Sequence, residues 1–236
     1  MKRFWKEAGV AEVGGDWQVT LDGRGVKTQG GRQQIVPNRA LAEALAAEWA
    51  AQGAEIDAAG FVLRDMADYA IDVVQPDPPA AIAALMAYGE SDTLCYRAEP
   101  GEPLHRRQIA EWEPLLEAAE ARRGVEFERI SGIIHRPQSA ATLAALRAEL
   151  DGLDPFTCAA LRTLSGLAAS LVIALLAIEP GHGDDPLWLS NLWNAANLEE
   201  DFQIELWGTD AEAEALRARR KADFLSAARF AGLVRA

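Results

Sequence analysis

Pro76, Pro78 and Pro79 fall within four positions of the stretch Gln75-Pro76-Asp77-Pro78-Pro79, and no helix or central strand can run through them. The chain is therefore divided there, and its two sides differ in periodicity. Before the break, Trp17-Gln18-Val19-Thr20-Leu21 alternates apolar and polar residues, as a half-buried strand does. Asp22-Gly23 offers a tight hairpin turn, Arg24–Thr28 a return strand, Gly30-Gly31 a second turn and Arg32–Val36 a third strand. Asn38 is placed to cap a helix from Arg39 to Gln52, with Leu41, Leu45 and Trp49 on one stripe and Gly53 closing it. A second helix is expected over Leu63–Val74, with Met66, Ala70, Ile71 and Val74 inward.

After the break the strand signals nearly vanish. Helical patterns cover Ala80–Tyr88, Leu104–Arg123, Ser139–Asp151, Phe156–Ile178, Asp185–Trp207 and Asp210–Phe230, with one short strand expected at Val125–Ile130. The expected fold class is α+β. A small N-terminal α+β domain with an antiparallel sheet, residues 1–76, precedes a larger, mostly α-helical domain, residues 77–236.

Charge narrows the classes of partner. A formal net charge of −13 argues against nucleic acid and against anionic membrane surfaces, both of which need clustered Lys and Arg. The distribution is uneven: residues 1–39 hold seven bases against four acids, so the negative excess lies in the later chain. Such a bipolar molecule suits a protein partner with patches of its own. Thr163–Ile178 is the most apolar run, but it is too short for a comfortable span and fits a buried central helix. Cys95 and Cys158 stand apart without a CxxC pattern and are expected reduced and semi-buried, as in a cytosolic compartment.

The usual chemical signatures are weak. Gly25-Val26-Lys27-Thr28 resembles the tail of a phosphate-binding loop, but the upstream glycines are missing and the segment sits in a hairpin. Gly23-Arg24-Gly25 begins a dinucleotide fingerprint that Thr28 does not finish. His105, His135 and His182 are widely separated and make no metal-ligand spacing. No serine stands in a GxSxG elbow. Asp92 follows a helix and is placed to cap the next turn, and Asp92, Asp154 and Glu205 form no acid–base pair by spacing. A small-molecule hydrolase using paired carboxylates remains as an alternative. No catalytic residue, cofactor or metal is assigned, and the balance moves toward a binding protein.

One stretch gathers unusual residues. Leu198–Gly208 as a helix puts Leu198, Phe202 and Glu205 or Leu206 on one stripe, with Glu205 at the margin of an apolar face and Gly208 as terminator. From Glu199 to Glu214 there are seven acids and no base, surrounding the aromatic pair Phe202 and Trp207. This is either an amphipathic helix with an acidic outer face or a docking face for a protein.

Several segments, in order, resemble the ATP12 family, assembly chaperones of the F1 sector of ATP synthase. These are Arg3-Phe4-Trp5-Lys6, Leu21 to Thr28, Val36 to Ala42, Glu48-Trp49, Ala70-Ile71-Asp72, Asp92 to Arg97, and Gln203-Ile204-Glu205-Leu206-Trp207-Gly208. The resemblance implies a non-enzymatic chaperone that binds the free F1 α subunit and shields it until β arrives, monomeric when alone. It implies a small α+β domain joined to a helical one, in agreement with the division read above. The family's C-terminal acid falls on Glu205, flanked by Gln203 and Trp207, with Phe202 and Asp201 completing the expected partner-binding face. The family often has tryptophan where Phe202 stands, and more acids after Trp-Gly than Thr209-Asp210 supplies. The opening residues lack the apolar segment of a signal and the character of a transit peptide, so a bacterial cytoplasmic member is expected.

Overall fold

Gly14 and Gly15 take φ of 66° and 97°, and this turn folds Ala8–Val13 (β1) back along Asp16–Leu21 (β2). The structure, a computed structural model, describes residues 1–132, 136–181 and 185–236, so His135 and His182 lie outside the described residues. The strand β1 has no counterpart in the alternation read above. At the next turn the expectation holds: Asp22 (φ 49°) and Gly23 (φ 77°) are both left-handed, as a type I′ hairpin demands. The Asp22 carboxylate also accepts from the backbone amides of Lys6 (3.0 Å) and Glu7 (2.9 Å).

The return strand is shorter than Arg24–Thr28, and the third strand shorter than Arg32–Val36. Only Arg24–Gly25 (β3) and Ile35–Val36 (β4) are strand, with a single further bridge between Lys27 and Gln33. Both pair with the same edge of β2, β3 opposite Thr20 and Leu21 and β4 opposite Trp17 and Gln18. The intervening loop is held by two carboxylates instead. Asp68 accepts from the Gln29 amide (3.0 Å) and from Gln34 Nε2 (2.6 Å); Asp72 accepts from the Gly30 amide (2.8 Å) and from Thr28 Oγ1 (2.9 Å). A Cβ on Gly30 would lie 2.6 Å from the Asp72 carboxylate, so glycine lets the carboxylate approach without shifting.

Helix α1 (Arg39–Ala51) starts as read, with Asn38 Oδ1 accepting from the Leu41 amide at 2.9 Å and Leu41, Leu45 and Trp49 buried. It ends at an extended Gln52 rather than at Gly53. Val62–Tyr69 (α2) runs into a wide π turn, Ala70–Val74, and Met66, Ala70, Ile71 and Val74 all point into the core. Glu48 caps α2 by accepting from the amides of Leu63 (2.7 Å) and Arg64 (2.8 Å). The prolines after it begin a helix: Asp77 caps Pro78–Glu90 (α3), with proline in the first turn where no amide is missed.

Helix α4 (Pro103–Arg123) closes on left-handed Gly124, as α5 (Ala140–Asp151) opens on the Ser139 cap. The short strand falls at Ile130–Ser131 (β6), later than Val125–Ile130, and pairs in parallel with Tyr96–Arg97 (β5). Two helices expected as continuous are broken. Phe156–Ile178 divides into α6 (Pro155–Ala168) and α7 (Leu171–Ala177), because Ala169 is left-handed (φ 50°) and Ser170 caps α7 through the Ile173 amide at 3.0 Å. Asp185–Trp207 divides at Asn197 into α8 (Pro186–Ala196) and α9 (Leu198–Trp207). Asp210 then caps α10 (Ala211–Val234).

Every residue of α7 is buried, and it packs among α3, α4, α6 and α8 while α10 covers α6. One cluster of buried residues runs from Trp5 through Leu45, Ile71 and Leu175 to Phe230. Cys95 and Cys158 are free and fully buried, deeper than expected. Burial pushes the Cys158 thiol up to about 11. Among the described residues no helix is long and apolar enough to cross a membrane.

Candidate functional site

Asn197 makes the acidic segment a separate helix. Its backbone amide bonds the carbonyls of Trp193 (3.1 Å) and Asn194 (3.2 Å), and its side-chain amide bonds Trp193 again at 2.8 Å, so α8 terminates. Helix α9 then starts with Glu199, Glu200 and Asp201 in its first turn, where the positive end of the helix dipole favours acids.

Leu198 is the one fully buried side chain of α9. The stripe read from the sequence is therefore not a buried face: Phe202 and Ile204 are half-buried, while Leu206 is 58% and Trp207 82% exposed. What holds the helix is polar. Arg107 Nη1 donates to Glu205 Oε1 at 2.7 Å, and Gln108 Nε2 donates to Glu199 Oε1 at 2.7 Å, both from α4. From α10, Arg217 pairs with Asp201 and Arg220 lies 3.9 Å from Glu200. The seven-acid field is thus partly neutralised by bases outside it, Arg107 far away in sequence and Arg217 and Arg220 on the next helix.

Of the expected face, Glu205, Gln203 and Trp207 are solvent-exposed, Phe202 is half-buried, and Asp201 is engaged with Arg217. Arg107, Gln108 and Arg217 are the residues that sequence reasoning missed. Gln108 is fully buried and has two duties: its Oε1 accepts from the Ala98 amide at 2.8 Å while its Nε2 reaches Glu199. The backbone at Ala98, just after β5, and the acidic helix are therefore linked through one amide side chain.

The three carboxylates weighed for acid–base chemistry serve other ends. Asp92 is fully buried, caps its own turn through the Leu94 amide (3.1 Å), and caps α7 through the Val172 amide (2.9 Å). Desolvation pushes its carboxyl up to about 6 despite those donors. Asp154 caps α6 through the amides of Phe156 and Thr157, both at 2.9 Å. Glu205 pairs with Arg107. Another pair of close acids, Glu113 and Glu120, is bridged by Arg129, and the Glu113 carboxyl is lowered by Arg129 and Arg97 against its own desolvation. Among the described residues no three His, Cys, Asp or Glu side chains gather as a metal cage. The P-loop-like Gly25–Thr28 leads into amides already taken by Asp68 and Asp72.

Comparison with known proteins gives a consistent result. The family described as ATP12 chaperone protein matches residues 2–120. The mitochondrial protein atp12 of Schizosaccharomyces pombe is 25% identical over 226 residues, covering 90% of this chain and 75% of that protein. The crystal structure of Atp12 from Paracoccus denitrificans superposes with a TM-score of 0.88 at 37% identity, over 99% of this chain and 98% of that one. A mutant form of the Paracoccus protein gives the same TM-score and identity, over 99% and 97%.

Proposed function

The chain belongs to the ATP12 family of chaperones for ATP synthase assembly, and on that footing we propose that it binds the free F1 α subunit. In this reading it covers the apolar surface of α that later meets β, and β displaces it. The reading is supported by the exposed end of α9, where Leu206 and the 82%-exposed Trp207 stand beside Glu205. Exposed aromatics of this kind serve as anchors in interfaces, and the neighbouring acids select a basic partner surface. Glu205 is the charge we assign to that contact. Arg107 holds it in place through an ion pair exposed enough for a partner's base to replace.

The face acts by binding, without catalysis, and its partly polar character suits an affinity moderate enough for release. We place the protein in the bacterial cytoplasm as a monomer when unengaged, with the boundary at residues 76/77 separating the sheet-bearing unit from the helical one. Co-purification tests this directly: a one-to-one complex with α, absent with β, is expected. Failure to capture soluble, folded α would refute it.

A further inference from the structure

A second exposed aromatic lies well away in sequence from the acidic helix. Phe4 is 68% exposed, yet its ring stands edge-on to Trp5 at 4.9 Å, and Trp5 meets Trp49 at 4.9 Å. Trp49 in turn meets Phe61 at 4.6 Å, so Phe4 is the solvent-facing end of a braced aromatic row. Beside it opens a cavity of about 520 Å³, walled by Phe4, Trp5, Leu21 and Trp49 and rimmed by Arg24 and Lys27. That is ample for an apolar side chain with its neighbours.

The charge of this cavity is opposite to that of the molecule. Arg24 and Lys27 are exposed and make no ion pair among the described residues, whereas Arg97, Arg107, Arg123, Arg129, Arg147 and Arg217 are all paired. Asp22, the acid at the cavity, already has its charge met by the amides of Lys6 and Glu7, which lower its carboxyl. A chain of net charge −13 thus presents two uncommitted cations over an aromatic floor.

We propose that this cavity is a second docking site, which takes an acidic segment of the client: an apolar side chain enters against Trp5 and Trp49 while flanking carboxylates meet Arg24 and Lys27. Charge complementarity selects the acidic segment. The identity of the client rests on the chaperone reading; the chemistry of the cavity does not. Together with α9, the molecule then grips one client at two sites of opposite charge, and two linked contacts bind far better than either alone.

The test uses the full-length protein and follows the indole N–H resonances of Trp5 and Trp49. A short synthetic peptide alternating glutamate with leucine should shift both saturably, and a lysine–leucine peptide should not. Arg24→Glu with Lys27→Glu should weaken the response about tenfold or more, since both charges would be reversed. Phe4→Ser should weaken it as well, and the exposed charge reversals should leave the melting temperature unchanged. No shift, an equal response to the lysine peptide, or an unchanged response in the double variant would overturn the site. Retention on phosphatidylserine vesicles without a peptide response would make a membrane the occupant and overturn it too. In a second arm, Arg24→Glu/Lys27→Glu should weaken the complex with the α subunit; if the peptide binds but that complex is indifferent, the client assignment falls. If α never binds while the peptide does, the α-subunit reading fails and the cavity stands as an acidic-peptide site.

Discussion

Arg107 on α4 donates from Nη1 to Glu205 Oε1 on α9 at 2.7 Å, while its Nε meets Glu111 at 3.1 Å. One guanidinium so serves two carboxylates, and both hold it more firmly protonated than an ordinary arginine. The Glu205 link crosses 98 residues of sequence. Because Arg107 is 33% and Glu205 59% exposed, their pair should contribute less than about 1 kcal/mol. Arg107→Ala should therefore barely move a urea midpoint. It should also leave Glu205 uncompensated, so that association with α becomes faster at low salt in stopped-flow measurements.

Leu206 and Trp207 lie outside the core, so replacing either with serine should change stability by no more than about 0.5 kcal/mol. The same replacement of Trp207 should cost about 2 kcal/mol or more in binding to α, as the loss of an aromatic anchor does. Calorimetric titration beside thermal melting separates the two effects. A Trp207→Ser protein that melts early would place the ring in the structure rather than at the interface.

Asp92 gives the chain a pH-dependent element. Its folded value of about 6 lies above the ordinary aspartate value near 4, so the native state holds the proton more tightly across that window. The stability this contributes is fully present below about pH 4 and is lost as pH rises through about 6. Asp92→Asn should remove that slope, read as the difference between variant and parent in denaturation at both edges of the window. The variant should also lose about 1–3 kcal/mol, because an amide nitrogen would face the Leu94 or Val172 donors.

Ala169 is left-handed at the exposed break between α6 and α7. That conformation strains a side-chain-bearing residue by about 1 kcal/mol, so Ala169→Gly should be neutral or stabilising by up to that amount. Equilibrium unfolding in guanidinium measures it. A clear loss of stability would mean that the methyl group, and not the backbone, matters there.

What could be read in the chain was what is local. The Asn38 cap, the Asp22-Gly23 turn and the buried stripe of Leu41, Leu45 and Trp49 depend on neighbours three or four residues away, and each stands where the spacing puts it. The strand β1 was hidden because Ala8–Val13 is half-buried and carries no clean alternation. The β3–β4 loop reads locally as longer strands because Asp68 and Asp72, some forty residues on, replace ladder bonds with side-chain bonds. Ser170 caps α7 within a run apolar enough to pass for one helix, while Asn197 ends α8 by donating its side-chain amide back to the Trp193 carbonyl. Glu205 could be named because its segment carries a recognisable signature. Its partner Arg107 could not, since pairs closed by tertiary packing leave no trace in local spacing.

The exchange of charges between these two residues decides whether Glu205 acts on the partner or on the fold. The measurement is the affinity of the α subunit for three forms: the parent, Glu205→Lys, and the swap Arg107→Glu/Glu205→Lys, with melting followed in parallel. A structural role requires the swap to restore binding, because it rebuilds the internal ion pair with its charges reversed. A contact with a basic group on α requires both variants to stay folded and both to bind at least about a hundredfold more weakly, the loss expected at an interfacial charge pair. The account predicts the second result; recovery of binding in the swap, or full binding by Glu205→Lys, would contradict it.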